Sequence, residues 1–330
     1  MVDVIEDGAE EVNGVHVPYQ VVKIKLLSGE VGREITIDHG RLLTISEAQK
    51  VKNEDTIVIS KISTPDGVEQ YVIRDKYRIN NLIYIAGFFF AVVLLIAGFT
   101  GLGSIVGMFV SLAVIVRFIV PQILDGKDPV LVSILGSLVI LGTTIYLSHG
   151  FTKQTHVAVF ATFVSLILTG IISVLFVYFA KISGMGNEEA YTLQMGGTSI
   201  INLKGLFLGG VIIGALGVLD DITTTQSATI FELKATNSKL TMGELVKKGI
   251  SIGREHVAAV VNTLVLAYAG ASLALFIIFA YNPLGMPTWV ILNNEFLSEE
   301  IVRTLAGTTG LVLAVPLTTF LASYFASRQK

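Results

Sequence analysis

GLFLGGVIIGALGVLDDITTTQSATIFEL, residues 205–233, opens with fifteen apolar and glycine-rich residues and then places two adjacent carboxylates, Asp220 and Asp221, where a membrane span should still be continuing. A charged side chain at the centre of a bilayer costs about 2.5 to 3.5 kcal/mol on insertion scales, so an aspartate pair inside a span indicates a functional site. The rest of the chain decides whether such a span exists.

The composition is that of an integral membrane protein. The 330 residues are 52% hydrophobic and only 15% charged, with a mean hydropathy of +0.71, whereas soluble domains average about 25% charged residues. The absence of cysteine excludes disulfides and thiolate metal sites, and the five histidines show no metal-ligand spacing. We therefore expect no cofactor. The net charge of -3 gives no basic patch, so we expect no nucleic-acid partner.

The region before Arg78 has the pattern of a small β-domain. Short β-branched runs, VPYQVVKIKLL, EITID, TIVISKIS and EQYVIRD, alternate with turn signals rich in Gly, Asp, Asn and Pro. About five strands in residues 15–78 predict a small barrel of the OB or SH3-like kind. Residues 1–14 are acidic and polar, and they are predicted to be a polar tail.

The region from 79 to 330 is predicted to be an α-helical membrane domain, because an apolar stretch of about 20 residues spans a bilayer when helical. We count about seven transmembrane helices. The predicted spans are residues 81–99, 102–120, 130–149, 157–180, 205–230, 257–281 and 303–325. The fifth span qualifies only if its polar stretch DDITTTQS faces other helices or water.

The orientation follows from the basic residues between the spans, since cytoplasmic loops carry the excess of Lys and Arg. Eight basic residues lie on the side of the loops after spans 1, 3 and 5, and five on the other side. This count predicts a membrane protein with its β-domain outside and its C-terminus in the cytoplasm. A folded outer domain is normally exported behind a leading helix, and none precedes Val12. We therefore expect that such a helix is missing from this chain; the alternative is that the count of basic residues gives the wrong orientation.

Helical spacing predicts which residues surround the two aspartates. Thr224 and Thr225 lie one turn away, where their hydroxyls can meet the carboxylates. A seam of Gly210, Gly214 and Gly217 lets another helix approach closely and shield the acids from lipid. The supporting polar residues predicted on spans 5, 6 and 7 are Thr224, Thr225, Gln226, Glu255, His256, Asn262, Thr308, Thr309, Thr318 and Thr319.

Two interpretations of the aspartate pair remain open. Desolvation and like-charge repulsion both penalise two adjacent ionised carboxylates, so an embedded pair is suited to taking up and releasing a proton or a cation. Alternatively, span 5 ends near Leu219, and the aspartates are wetted interfacial residues that cap the following segment.

The segments GALGVLDDITTTQSATIFEL, IGREHVAAVVNTLVLAYAGASLALF (252–276) and AGTTGLVLAVPLTTFLAS (306–323) resemble the YibE/F family of bacterial membrane proteins. The resemblance covers the whole span region, and YVIRDKYR (71–78) fits the family's entry into its first core helix. The family name implies no substrate.

A fainter similarity links the glycine-rich span, with its acidic residues, and the following helix to the membrane halves of SecD/SecF and the RND transporters. It implies proton coupling through Asp220 and Asp221, with Asn262 at a polar position of the next helix. A second copy of the chain would be needed to imitate the two-halved arrangement of that superfamily.

We therefore predict a proton- or cation-coupled transporter, or an export-assisting membrane protein, that acts on an unknown solute or protein partner as a homodimer in the bilayer. The alternative is a receptor or scaffold whose outer β-domain binds a partner. An enzyme is not expected, because adjacent aspartates cannot form the opposed pair of an aspartyl protease.

Overall fold

The structure is a computed structural model, and it describes residues 2–12, 15–41, 43–63, 69–196 and 201–328. The chain divides into two compact units, residues 1–92 and residues 93–330. The first contains all the strands and the beginning of the first helix. The second contains the remaining helices, and each unit is described by itself.

The first unit has two antiparallel sheets. One sheet has the order β1-β2-β3, and the other pairs β4 with β5. The strands are β1 (Val2–Val12), β2 (Val15–Lys25), β3 (Glu34–His39), β4 (Ile57–Ser63) and β5 (Glu69–Lys76). Alternate apolar residues of β2 and β3, including Val22 and Ile37, form a buried core with Val2 and Val51. The two sheets share no hydrogen-bonded strand pair among the described residues, so the OB or SH3-like barrel stays a prediction.

The predicted polar tail, residues 1–14, contains a strand. Val2–Val12 pairs with β2 from Val2↔Ile24 to Val12↔Val15, with one irregularity between Val4 and Glu6. Val2 is 3% exposed, and Val4 packs against the same core. The acidic residues next to these valines hid the alternation of apolar and polar residues in the sequence. A strand can bury one face against its neighbours even when most of its residues are polar.

Hydrogen bonds from Gln20 connect this core to the segment before β4. The buried Gln20 Nε2 donates to the Val51 carbonyl at 3.1 Å, and its Oε1 accepts from the Val51 N–H at 2.8 Å. Nε2 also donates to Asp7 Oδ2 at 3.1 Å, while Lys50 lies 2.7 Å from Asp7 Oδ1. Both oxygens of the Asp7 carboxylate therefore have partners.

Ten α-helices follow in the described residues. They are α1 (Ile79–Val114), α2 (Val120–Leu124), α3 (Pro129–His149), α4 (Lys153–Phe179), α5 (Glu188–Met195), α6 (Leu203–Thr236), α7 (Met242–Ala271), α8 (Leu273–Tyr281), α9 (Thr288–Leu292) and α10 (Glu295–Ser327). Side chains cap the long helices where the sequence offers a capping residue: Asp128, Thr152, Asn202 and Thr241 each accept a main-chain N–H of the first turn.

Six helical stretches of the described chain are long and apolar enough to cross a membrane. The predicted spans 81–99 and 102–120 lie in one 46-residue stretch, Ile79–Leu124, whose backbone breaks at Gly98 with φ 55° and ψ -134°. If straight, such a helix would be about 69 Å long, over twice the roughly 30 Å hydrocarbon layer. Predicted span 257–281 is interrupted at Ser272, between α7 and α8, and its first helix already begins at Met242.

The centre of the second unit is α6, which packs against α3, α4, α7 and α10. Helix α10 runs parallel to α6, since Arg303 lies over the Phe207 ring and Thr319 meets Gln226. Helix α4 is antiparallel to both, because Thr162 meets Thr223 and the Ser227 hydroxyl reaches the Gln154 carbonyl.

Small and hydroxylated residues allow these helices to approach closely. Gly310 of α10 faces Thr169 of α4, and Gly209 of α6 faces Ser133 of α3, so a Cβ at either glycine would overlap the opposite side chain. Most buried hydroxyls of α4 donate to main-chain carbonyls of the same helix. Thr169, for example, donates to the Ser165 carbonyl at 2.7 Å. This is the packing typical of helices in membranes, where burying apolar surface gives little advantage.

Candidate functional site

The aspartate pair lies in the middle of a continuous helix. Helix α6 begins after its N-cap Asn202 and ends before Asn237, with no interruption near Leu219. The aspartates therefore do not cap a following segment. Asp220 is half-buried and Asp221 is exposed, so the adjacent acids have different surroundings.

Asp220 has a buried carboxylate oxygen with no fixed partner. In the described part of the chain, its Oδ1 is inaccessible and receives no hydrogen bond. The Thr224 hydroxyl donates to the main-chain carbonyl of Asp220 at 2.8 Å rather than to its carboxylate. A threonine inside a helix can donate its hydroxyl to the main-chain carbonyl of the residue four positions earlier. Thr225 is exposed.

A hydroxyl that the sequence analysis missed lies next to Asp220. Thr223 is buried, hydrogen-bonds Thr162 of α4, and lies 3.3 Å from the Asp220 carbonyl. In the sequence, nothing distinguished the hydroxyls of the three consecutive threonines at 223–225 from one another. Only the position of α4 distinguishes Thr223 as the one that joins two helices.

Gln226 and Thr319, both predicted as supporting residues, are brought together. Gln226 Nε2 donates to Thr319 Oγ1 at 2.7 Å and to the Gly249 carbonyl of α7 at 2.8 Å. Thr319 Oγ1 in turn donates to the Val315 carbonyl at 2.7 Å. These bonds connect α6, α7 and α10 at one level.

The remaining predicted polar residues do not converge on the aspartates. Glu255 and Asn262 are exposed, His256 and Thr309 are half-buried, and none of the four has a hydrogen bond or ion pair to Asp220 or Asp221 in the residues described. Two further hydroxyls, those of Thr308 and Thr318, are buried without a hydrogen-bond partner within the described ranges.

The predicted glycine seam faces outward. Gly210, Gly214 and Gly217 are all exposed, and a Cβ at Gly217 would meet nothing within 4 Å. They share this face with the exposed Asp221, so within the chain they do not shield the pair. The apolar face of α6 lies on the other side, where Ile212, Leu219 and Ile222 are buried. Burial of these side chains determines which face of α6 points into the bundle.

The close approach occurs at a different pair of glycines, Gly249 and Gly253 of α7. A Cβ at Gly249 would overlap Ile230 and Thr319, and one at Gly253 would overlap Val315. Their four-residue spacing in GISIG was visible in the sequence as a GxxxG pattern. Both glycines lie before residue 257, where the predicted sixth span begins, so the sequence analysis did not identify them as packing residues.

Two glutamates at the start of α10, also missed, hold the loop between α4 and α5. Glu295 Oε1 accepts from the Ser183 N–H at 2.7 Å, the Ser183 hydroxyl at 2.6 Å and the Gly184 N–H at 3.1 Å. Glu299, only 2% exposed, accepts from the Gly186 N–H at 2.8 Å. These contacts join residues more than 110 positions apart, so no local pattern indicates them.

The arrangement offers a binding group for a proton or a small cation but no preformed metal centre. Among the described residues, no group of three or more His, Asp or Glu side chains is placed to hold a metal ion. The distinctive feature of this region is the half-buried carboxylate of Asp220, whose Oδ1 is buried, in a helix that packs against four others.

These features define a polytopic, mainly helical membrane protein with a small N-terminal β region and a carboxylate inside its helix bundle. Residues 85–328 match the family described as YibE/F-like protein, and the chain belongs to that family. The match confirms the resemblance seen in the sequence. No curated protein and no solved structure shows a significant match to the chain.

Proposed function

We propose that this protein is a proton- or cation-coupled membrane transporter, or an export-assisting protein, in which Asp220 takes up and releases the coupling ion. The observation that supports this proposal is the buried Oδ1 of Asp220, which has no hydrogen-bond partner in the described part of the chain. An ionised carboxylate without a partner is costly away from water, and a proton or a cation relieves that cost. A structural carboxylate would instead be paired.

Asp221 has a different part in this proposal. It is exposed on the surface of α6 and acts on Asp220 through like-charge repulsion. Ion uptake at Asp220 is then sensitive to the charge on Asp221, whereas only Asp220 must pass between ion-bound and ion-free states.

The hydrogen bonds of Gln226 limit the motion that accompanies ion exchange. Because Gln226 contacts both Gly249 and Thr319, this level of α6 moves together with α7 and α10. In the proposed cycle, α4 and α3 are the partners against which this group shifts. Thr162 and Thr223 lie at that boundary.

The proposal is tested with protein reconstituted in liposomes that contain a pH dye. Proton flux is recorded under an imposed gradient across a panel of ions and small solutes, with the Asp220→Asn variant as the comparison. Aspartate-dependent flux that one solute stimulates supports coupled transport and identifies the substrate class. Folded protein without flux under every condition contradicts it.

A second candidate function, a receptor or scaffold, is favoured by a cleft in the first unit. The cleft has a volume of about 260 Å³ and is lined by polar groups that include Asp38, His39, Gln49, Arg74 and Arg78. Such a concave polar surface suits a ligand or peptide of mixed charge. This candidate is preferred if the reconstituted protein carries no flux and charge-reversing changes at Arg74 abolish capture of a partner.

We also propose the bacterial inner membrane as the location, with the β-domain outside. Within the second unit, helix directions place the basic residues near 153, 234–254 and 328 at one end of the bundle, which supports a cytoplasmic assignment for that end. A cysteine introduced at Ser28 should then react with an impermeant reagent in intact cells. Protection of that cysteine would invert the topology.

A homodimer is the remaining part of the proposal. The open position at Gly217, where a Cβ would meet nothing within 4 Å, suits close approach of a second copy. The Gly217→Leu variant should then shift the mass of the purified particle from dimer to monomer, while Gly270→Leu, at another open glycine, should not.

A further inference from the structure

Arg303 is a partly buried cation that the proposed transport mechanism does not use. It lies about two turns into α10, and its side chain is 26% exposed. The guanidinium carbon is 5.0 Å from the centroid of the Phe207 ring on α6. Arg303 lies at the boundary between the acidic first turns of α10 and its apolar part.

The donors of Arg303 are under-used. Its Nε is 3.5 Å from Glu300 Oε1, an ion pair without a hydrogen bond, and Nε is buried with no hydrogen-bond partner in the part of the chain that the structure describes. A guanidinium has five N–H donors in a rigid fork. The ion pair with Glu300 and a longer-range attraction to Glu299, both on the same helix, leave most of these donors without a hydrogen bond.

Glycines of α6 form a floor beneath this guanidinium. Arg303 Nη1 is 3.6 Å from the position that a Cβ at Gly210 would occupy, and Tyr268 Oη is 3.9 Å from the corresponding position at Gly214. Both glycines are exposed, one turn apart on the same face. A guanidinium from α10 and a phenol from α7 thus overhang a strip of α6 that has no side chains.

We propose that Arg303 and Tyr268 form a binding site for one oxyanion, a phosphate or carboxylate group, above Gly210 and Gly214. The planar fork of arginine matches such a group with two parallel hydrogen bonds, and the tyrosine hydroxyl donates a third. Glu300 is the competitor, because it holds Arg303 by charge alone and must yield when the anion binds. The site does not depend on the proposed function of Asp220.

Two kinds of ligand carry such an oxyanion and can reach an exposed face of a membrane helix. One is the headgroup of an anionic phospholipid, and the other is a dissolved anion such as a phosphorylated or carboxylated solute. Both use the same donors, so the recognition chemistry is shared. Separate probes distinguish the sources.

The experiment uses the full chain purified in a nonionic maltoside detergent. Binding of inorganic phosphate and of acetate is measured by isothermal titration calorimetry, and binding of phosphatidylglycerol against phosphatidylcholine by native mass spectrometry. Saturable binding of phosphate or acetate assigns a dissolved anion, whereas a preference for phosphatidylglycerol alone assigns a lipid headgroup. Absence of binding in both assays overturns the proposal.

Variants separate a binding role from a structural one. Arg303→Gln should weaken anion binding about tenfold or more, since a hydrogen bond to a charged group is lost, while Arg117→Gln, which removes an exposed arginine of the same charge, should not. Glu300→Gln should strengthen binding, because it removes the competitor. The Glu300→Gln variant tests the proposal even if Arg303→Gln does not fold. Weaker or unchanged anion binding in Glu300→Gln would overturn the proposal.

Discussion

Gln226 Nε2 donates a 2.7 Å hydrogen bond to Thr319 Oγ1, across 93 positions of the chain. The same nitrogen donates to the Gly249 carbonyl, so one amide connects the central helix α6 with α7 and α10. Any movement of α6 near Asp220 involves this connection, because Gln226 lies within two helical turns of the carboxylate.

Removing the Gln226 amide should destabilise the bundle modestly. In Gln226→Leu, Thr319 keeps its bond to the Val315 carbonyl, so no remaining partner becomes unsatisfied. The expected loss in unfolding free energy is about 0.6 kcal/mol, and at most about 1.7 kcal/mol, for each of the two interhelical hydrogen bonds removed. Detergent titration followed by circular dichroism measures it.

Thr319→Val and Thr318→Val form the matched comparison for that variant. Thr319→Val should lose stability and show coupling to Gln226→Leu in a double-mutant cycle. Thr318→Val should be neutral or stabilising, because its buried hydroxyl makes no hydrogen bond in the described chain. Equal effects at the two threonines would refute a specific role for the Gln226 bond.

Adding one methyl group at Gly249 should be destabilising. The new Cβ would overlap Ile230 and Thr319, and overpacking of this kind costs about 1–3 kcal/mol. Gly307→Ala, in the middle of α10 with nothing within 4 Å of the new Cβ, should instead stabilise by roughly 0.5–1 kcal/mol through helix propensity. Thermal unfolding compares the two, and a stable Gly249→Ala variant would contradict the packing described for α7.

The contribution of Asp7 to the first unit should disappear in acid. Hydrogen bonds from Lys50 and Gln20 lower the pKa of Asp7 below its ordinary value of 3.8. A lowered pKa gives stability that is fully present above the unfolded-state value and is lost as the pH falls through the folded-state value. The stabilisation by Asp7 is therefore present at pH 7 and disappears below about pH 4.

The Asp7→Asn variant tests this pH dependence in the full chain. Its melting temperature should be lower than that of the wild type at pH 7, and the difference should shrink toward zero at pH 3. A difference of the same size at both pH values would mean that packing around Asp7, rather than its charge, determines the effect.

The sequence predicted the helices well where length and apolarity decide the structure. Predicted span 130–149 corresponds to α3, Pro129–His149, and 303–325 lies inside α10, Glu295–Ser327. The sequence left open whether Asp220 lies within a continuous helix, because Asp220, Asp221 and the threonines that follow are also residue types that cap helices. The predicted boundary between spans 81–99 and 102–120 lies next to the observed break at Gly98, although Gly101 and Gly103 themselves occupy helical positions.

Which face of a helix is packed could not be read from periodicity. Gly210, Gly214 and Gly217 share a face, as the spacing predicted, but Gly249 and Gly253 satisfy the same rule and are the ones in close contact. The choice depends on the neighbouring helices and on contacts as distant as Gln226 with Thr319. The strand Val2–Val12 was hidden for a similar reason, since β2 supplies the partner that buries Val2.

The most direct test of the account compares Asp220→Asn with Asp221→Asn in proteoliposomes under an imposed proton gradient. The account predicts that Asp220→Asn abolishes coupled flux while the protein remains folded, and that Asp221→Asn retains flux with a shifted pH dependence. Undiminished flux in Asp220→Asn, or equal loss in both variants, would contradict the assignment of Asp220 as the coupling residue.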